Sequence, residues 1–192
     1  MVGMEMAANY AMDREAPMRH MLVERAQDGD HDAFAALIHD RIGRLYGLAG
    51  LITGDRTRAE DAVQDALLRA WRDLPRLRDR ERFDAWLRRL VVNASHDQGR
   101  RVRRRAEVAF DPEHANSVPD ASEQLAHRDE LERGFARITP SDRSVIALRY
   151  YLSLNTAEAA EVLGVREVAL RSRLHRALSS LRHALSTPEM ES

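Results

Sequence analysis

Apolar residues recur along this chain every three or four positions, and no stretch alternates with the period of two that marks a half-buried strand. The pattern predicts an all-α protein. Two helices are expected between Leu22 and Leu51, divided at Asp28-Gly29-Asp30. Asp30 caps the second, which buries Phe34, Leu37, Ile38, Leu45 and Leu48 and closes at Thr53-Gly54-Asp55. The next, Ala59 to Trp71, sets Ala59, Ala62, Val63, Ala66, Leu67 and Ala70 on one stripe. It leaves Glu60, Asp61, Gln64, Asp65 and Arg69 facing out. A charged, proline-containing loop fills Leu74–Arg82. A fourth helix buries Phe83, Trp86, Leu87, Leu90, Val91 and Ala94, and its tail carries Arg100, Arg101, Arg103, Arg104 and Arg105.

Beyond that tail the character changes. Residues 106–124 hold five acids, two prolines, no arginine and no apolar stripe, which describes a flexible acidic linker reaching roughly 60 Å when extended. A second helical unit follows. Leu131, Phe135 and Ile138 share a face, and Thr139-Pro140 opens another helix that buries Val145, Ile146 and Leu148. Asn155 and Glu158 form a capping box, Ala157, Ala160 and Leu163 face inward, and Gly164 stops that helix. Leu170, Leu174, Ala177, Leu178, Leu181 and Leu185 make the stripe of the last one. Ala160, Gly164 and Leu170 have the spacing of a helix-turn-helix, although an ordinary helical hairpin with a solvated basic face fits it too. The expected division is a tail over 1–21, a first domain over 22–105, the linker over 106–124, a second domain over 125–186 and a tail over 187–192.

Charge refines this picture. The net charge is −1, so the chain as a whole is no basic nucleic-acid binder, and the sign must be read segment by segment. All thirty basic residues are arginine, the better fork for phosphate. Without cysteine, disulfides and thiolate chemistry are excluded. No apolar run is long enough to span a bilayer and no signal peptide is evident, so a cytoplasmic protein without membrane insertion is expected.

Catalysis finds little support. The eight histidines are scattered, none pairs at i, i+4 around an acid, and there is no phosphate-binding glycine loop or serine elbow. No metal or cofactor is expected. The charges read better as surfaces. The arginine run from Arg100 attracts a polyanion. Arg89, Asn93, His96 and Arg100 line one flank of the fourth helix, with Asn93 and His96 suited to base edges and the arginines to phosphates. Asp97, at the edge of the buried stripe, suits a structural hydrogen bond.

LVERAQDGDHDAFAALI, AEDAVQDALLRAW and RFDAWLRRLVVNASHDQGRR resemble region 2 of the extracytoplasmic-function (group 4) sigma factors of bacterial RNA polymerase. LERGFARITPSDRSVIALRYYLSLNTAEAAEVLGVREVALRSRLHRAL is similar to their region 4. The resemblance implies a protein that binds core polymerase, recognises −35 and −10 promoter elements and helps melt the latter. It assigns docking on the β′ clamp helices to Asp61, Gln64, Asp65 and Arg69. It makes Leu74–Arg82 the loop that captures a flipped −10 base. Arg89, Asn93, His96, Arg100, Arg101, Arg103 and Arg104 become −10 contacts. In region 4, which in the family also meets the β flap, Arg166, Glu167, Arg171 and Ser172 would read −35 base edges, with Arg173 and Arg176 on phosphates. An anti-sigma factor is an implied partner.

The recognition helix departs from the family's pattern. Arg166 stands where a serine cap is usual, and Ala169 where a threonine is. Thr156 and Ala159 replace an aromatic and an isoleucine, and Val92, expected to project away from the buried stripe, replaces an arginine. Two other readings remain open: a sigma-like decoy that sequesters an anti-sigma factor without touching DNA, and a conventional helix-turn-helix regulator. The polar face of Ala59–Trp71 has no purpose in the latter.

Overall fold

The computed structural model describes residues 18–108 and 131–186, and the described residues contain helices and turns but no strand. Helix α1 (18–27) runs through the left-handed Gly29 (φ 92°) into α2 (His31–His39), capped by Asp30 accepting from the Ala33 amide at 3.0 Å. The single helix expected after Asp30 is in fact two. The chain breaks at Asp40–Arg41 and resumes as α3 (Ile42–Thr53). Arg41 sits at the break, with Nη1 on the Leu37 carbonyl at 2.7 Å and Nε on Asp84 at 2.5 Å. α1 also begins inside the stretch assigned to the tail, and Arg19 reaches Glu81 at 3.1 Å and Asp84 at 3.4 Å.

Gly54 (φ 65°) ends α3, and Asp55 caps α4 (Arg56–Asp73) through the Arg58 amide at 2.7 Å. The alanine-rich stripe lies where the spacing put it: Ala59, Ala62, Val63, Ala66 and Ala70 are all buried, with Leu67 partly so. Small residues let α4 approach α3 and α5 closely. Two 3-10 turns, Leu74–Arg76 and Arg80–Arg82, make the expected loop before α5 (Phe83–Val108).

The C-terminal helices are α6 (131–137), α7 (Pro140–Ile146), α8 (Thr156–Leu163) and α9 (Glu167–Ser186). Thr139 caps α7, which runs on into a π-helical turn, Ala147–Tyr151. The Asn155–Glu158 capping box and the left-handed Gly164 (φ 64°) bound α8 as predicted. Leu131 differs from expectation. It is 47% exposed, because α6 instead turns Gly134 and Phe135 toward α9, where a Cβ on Gly134 would meet Leu185 at 2.6 Å.

α8 also buries Ala159, Ala160 and Val162 rather than Ala157, which is exposed. The reason is a second partner. α8 packs on α9 and also on α5, and α7 packs on α3, so residues of both halves join one hydrophobic cluster. Val92 is therefore 2% exposed, not outward-facing, and Ser95 and Gln98 beside it are buried as well. Polar ties cross the same contact. The Arg143 guanidinium donates to the Ile138 and Ala136 carbonyls of its own half and to the Ile52 carbonyl of α3 at 3.2 Å. Arg89 donates to the Val162 carbonyl at 3.1 Å and to that of Glu161. His96 Nε2 and Ser144 Oγ are 2.8 Å apart, and Arg82 pairs with Glu161 at 3.4 Å. Gly47 admits the Tyr151 ring so closely that any Cβ there would collide with it.

Two outcomes follow. Asp84→Asn removes the negative charge that Arg41 and Arg19 share and turns one of its two acceptor oxygens into a donor, lowering stability by about 1–3 kcal/mol, read from urea unfolding. Burial holds the His96 pKa below its ordinary value of 6.5, Arg100 adds to this, and the Pro140 carbonyl and Asp97 oppose it. Above about pH 6.5 the imidazole is neutral whether packed or released, so stability is unaffected; below it only the released form gains a proton. Packing weakens as pH falls, so the melting temperature drops less between about pH 7.5 and 5.5 in His96→Asn than in wild type.

Candidate nucleic-acid interface

The polar side of α4 divides into two parts. Asp61, Gln64 and Leu68, at i, i+3 and i+7, project together, with Asp61 and Gln64 exposed and Leu68 70% exposed. Asp65 and Arg69 are instead half-buried and tied to α5. Arg69 Nη1 donates to Asp97 Oδ2 at 3.2 Å while its Nη2 lies 3.7 Å from Asp65 Oδ2, which Arg101 approaches at 3.5 Å. No hydrogen bond reaches that buried Asp65 oxygen, so its two arginines hold it by charge alone. Asp97 also accepts from Arg100. Burial pushes the Asp97 carboxyl up, but the Arg69 hydrogen bond and the Arg100 charge outweigh it and leave its pKa lowered. Asp97 is thus the structural acceptor that its place in the sequence suggested.

Leu68 was missed in the sequence because it sits beside the buried stripe and reads as part of it.

On α5 the spacing of Arg89, Asn93, His96 and Arg100 does produce one flank. Asn93, Arg100 and Arg101 are exposed. Arg89 and His96 are not free: the C-terminal half takes donors from the first and the ring nitrogen of the second. The side chains of Arg103 and Arg104 lie outside the described residues. The loop Leu74–Arg82 is held in shape by Gln27 of α1. Its amide donates to the Leu74 carbonyl at 3.1 Å and the Leu77 carbonyl at 2.7 Å, while its oxygen accepts from Arg80 at 2.8 Å. Arg80 also pairs with Glu24 at 2.9 Å. Gln27 has no signature in the pattern, since its partners lie about fifty positions away.

At the start of α9, Arg166, Glu167, Arg171, Ser172 and Arg176 are exposed and Arg173 is half-buried. Buried Leu170, Ala177, Leu181 and Ala184 turn that face outward. The Ser172 hydroxyl donates back to the Val168 carbonyl at 3.2 Å, and Val168 itself is 67% exposed. Arg171 and Arg176 leave guanidinium forks on this face and Val168 an apolar side chain; forks of this kind suit base edges and phosphates. Among the described residues no three histidine, aspartate or glutamate side chains gather as a metal site, and no helix is long and apolar enough to cross a membrane.

Residues 37–105 match the family model of sigma-70 region 2, and residues 128–181 that of sigma-70 region 4. The chain is 32% identical over 158 residues to the RNA polymerase sigma-E factor of Streptomyces avermitilis, covering 82% of this chain and 88% of that one. It is 34% identical over 154 residues to the ECF RNA polymerase sigma factor SigL of Mycobacterium tuberculosis, covering 78% and 87%. Among solved structures, CnrH in complex with the cytosolic domain of CnrY is similar, with 28% identity and a TM-score of 0.63 over 88% of this chain and 97% of that one. The sigma factor RpoE of Bartonella quintana, in complex with the anti-sigma factor NepR, shares the fold at 19% identity and a TM-score of 0.65 over 81% and 99%. With both regions matched in order and about a third of the aligned residues identical to those of such relatives, the chain belongs to the extracytoplasmic-function sigma factors of the sigma-70 family.

Proposed function

We propose that this protein is the promoter-specificity subunit of a bacterial RNA polymerase, working in the cytoplasm and without catalytic activity of its own. One observation carries the residue-level reading: α4 presents Asp61, Gln64 and Leu68 as a single exposed face, while the neighbouring α5 presents Asn93, Arg100 and Arg101. A protein-docking surface thus lies next to a DNA-binding one on the same rigid pair of helices. Asp65 and Arg69 support docking from behind, since their charges are balanced by Arg101 and Asp97 and hold the two faces in register.

Promoter opening then follows from placement. The α4 face fixes region 2 on the clamp helices of the β′ subunit, α5 follows the −10 strand, and the loop braced by Gln27 takes the extruded base. Extruding a base costs a few kcal/mol, which contacts from a loop already held in shape offset. Region 4 holds the upstream −35 element through α9. In one related structure CnrH is in complex with the cytosolic domain of CnrY, and in another the sigma factor RpoE is in complex with the anti-sigma factor NepR. A protein of that kind is the proposed regulator here.

Asp61→Arg weakens binding to core polymerase roughly tenfold or more, about 1.4 kcal/mol, without lowering the melting temperature, because the side chain is exposed. Unchanged affinity removes the docking assignment. Arg171→Ala costs about 1–3 kcal/mol on the preferred −35 sequence and relaxes its specificity, whereas Arg176→Ala weakens all sequences and lowers the salt slope by about 1. Transcription from a promoter library with reconstituted holoenzyme tests the whole reading. Failure to open any promoter, with retained binding of an anti-sigma protein, establishes the decoy instead.

A further inference from the structure

An apolar side chain stands on the outermost line of the first turn of α9. At about 100° per residue, the buried Leu170, Ala177, Leu181 and Ala184 all lie within about 40° of the line diametrically opposite Val168. Val168 is accordingly 67% exposed. That exposure brings the helix no burial, and a β-branched side chain gives up χ1 freedom and helix propensity relative to alanine. The same stiffness holds its two methyl groups in one place, which lowers the entropy lost when a partner closes on them.

Its neighbours define the partner. Arg171 and Ser172 follow at i+3 and i+4, so both stand beside Val168 on one surface, and all three are exposed. The Ser172 hydroxyl proton is already given to the Val168 carbonyl at 3.2 Å, and Arg176 Nε bonds the Ser172 carbonyl at 3.4 Å. Ala169 adds only a methyl group where the family's pattern has a threonine. The turn from Val168 to Ser172 therefore offers a base pair one guanidinium fork and one branched apolar group. In the major groove these select different pairs. A fork takes guanine O6 and N7, whereas an apolar group takes the 5-methyl of thymine, the hydrophobic group that a base edge presents there.

Given the sigma-factor reading, on which this rests, we infer that Val168 is a specificity-determining residue of the −35 contact. It reads the 5-methyl group of a thymine, on either strand, within about two base pairs of the guanine taken by Arg171. The spacing follows from the helix, because three residues advance roughly 4.5 Å along its axis, against about 3.4 Å per base pair. The contact is uncharged, so it adds sequence preference without adding to the salt dependence that phosphate contacts govern. One methyl group packed against the isopropyl group contributes about as much as one buried methylene, or about fourfold in affinity.

Replacing thymine by deoxyuridine removes that methyl group and nothing else. Holoenzyme reconstituted from the full chain and core polymerase first selects its −35 sequence from a promoter library, and Arg171→Ala marks the guanine position by relaxing it. Each neighbouring thymine is then exchanged for deoxyuridine, and the affinity for the duplex is read by competition. The expected results are a loss of about fourfold at one of these positions with wild type, a loss under about twofold there with Val168→Ala, and an unchanged salt slope in that variant. Alanine is the better helix former, so the variant keeps its fold. Four outcomes overturn the inference: no position relaxed by Arg171→Ala, no A·T pair selected within about two pairs of that guanine, deoxyuridine that costs wild type nothing, or a Val168→Ala chain that keeps the full penalty. If wild-type holoenzyme selects no −35 sequence at all, the sigma-factor reading itself falls.

Discussion

Helix α5 has more than one face to bury, and the rest of the molecule is arranged around that demand. Phe83, Leu87, Val91 and Ala94 fill the core with α3 and α4, while Val92, Ser95 and Gln98 need a second cover, which α7 and α8 supply. Apolar burial of this kind is the main favourable term in folding, at about 25 cal/mol per Å². A helix that must satisfy two partners keeps only its remaining flank for function. On α5 that flank is the one bearing Asn93, Arg100 and Arg101.

The charged network between α4 and α5 answers a second demand. Helix α4 carries acids on its polar side and α5 carries arginines, and the two lie side by side. Their mutual attraction is put to structural use: Asp65 meets Arg69 and Arg101, and Asp97 meets Arg69 and Arg100. Such pairs, a quarter to two-thirds exposed, contribute little each, but as a network they fix the angle between the surfaces. What remains for partners is the outer set: Asp61, Gln64 and Leu68 on one side, and Asn93 with the exposed arginines on the other.

How much was legible in the sequence depended on whether a residue answers to its own helix or to another. The α4 stripe from Ala59 to Ala70 was read correctly because it packs as one face of one helix, and the caps at Asp30, Thr139 and Asn155 because their partners lie three residues on. The break at Asp40–Arg41 escaped because Arg41 is recruited by Asp84, 43 positions later. Val92 and Ala157 were misplaced for one shared reason: periodicity describes a helix against a single neighbour, and here both α5 and α8 have two. Arg89 and His96 were placed on the right flank, but nothing in the spacing reveals that the C-terminal half reaches them first. Gln27, which shapes the loop from a separate helix, has no local signature at all.

Arg143 carries a consequence for how the molecule responds to its surroundings. Its charge is held by three backbone carbonyls, within a contact otherwise made largely of apolar side chains. Neither kind of bond is much weakened by dissolved ions, whereas binding to phosphates falls steeply as they accumulate. Ionic strength therefore bears unequally on the molecule. Added salt loosens the hold of exposed arginines on a polyanion while leaving the packing of the two halves in place.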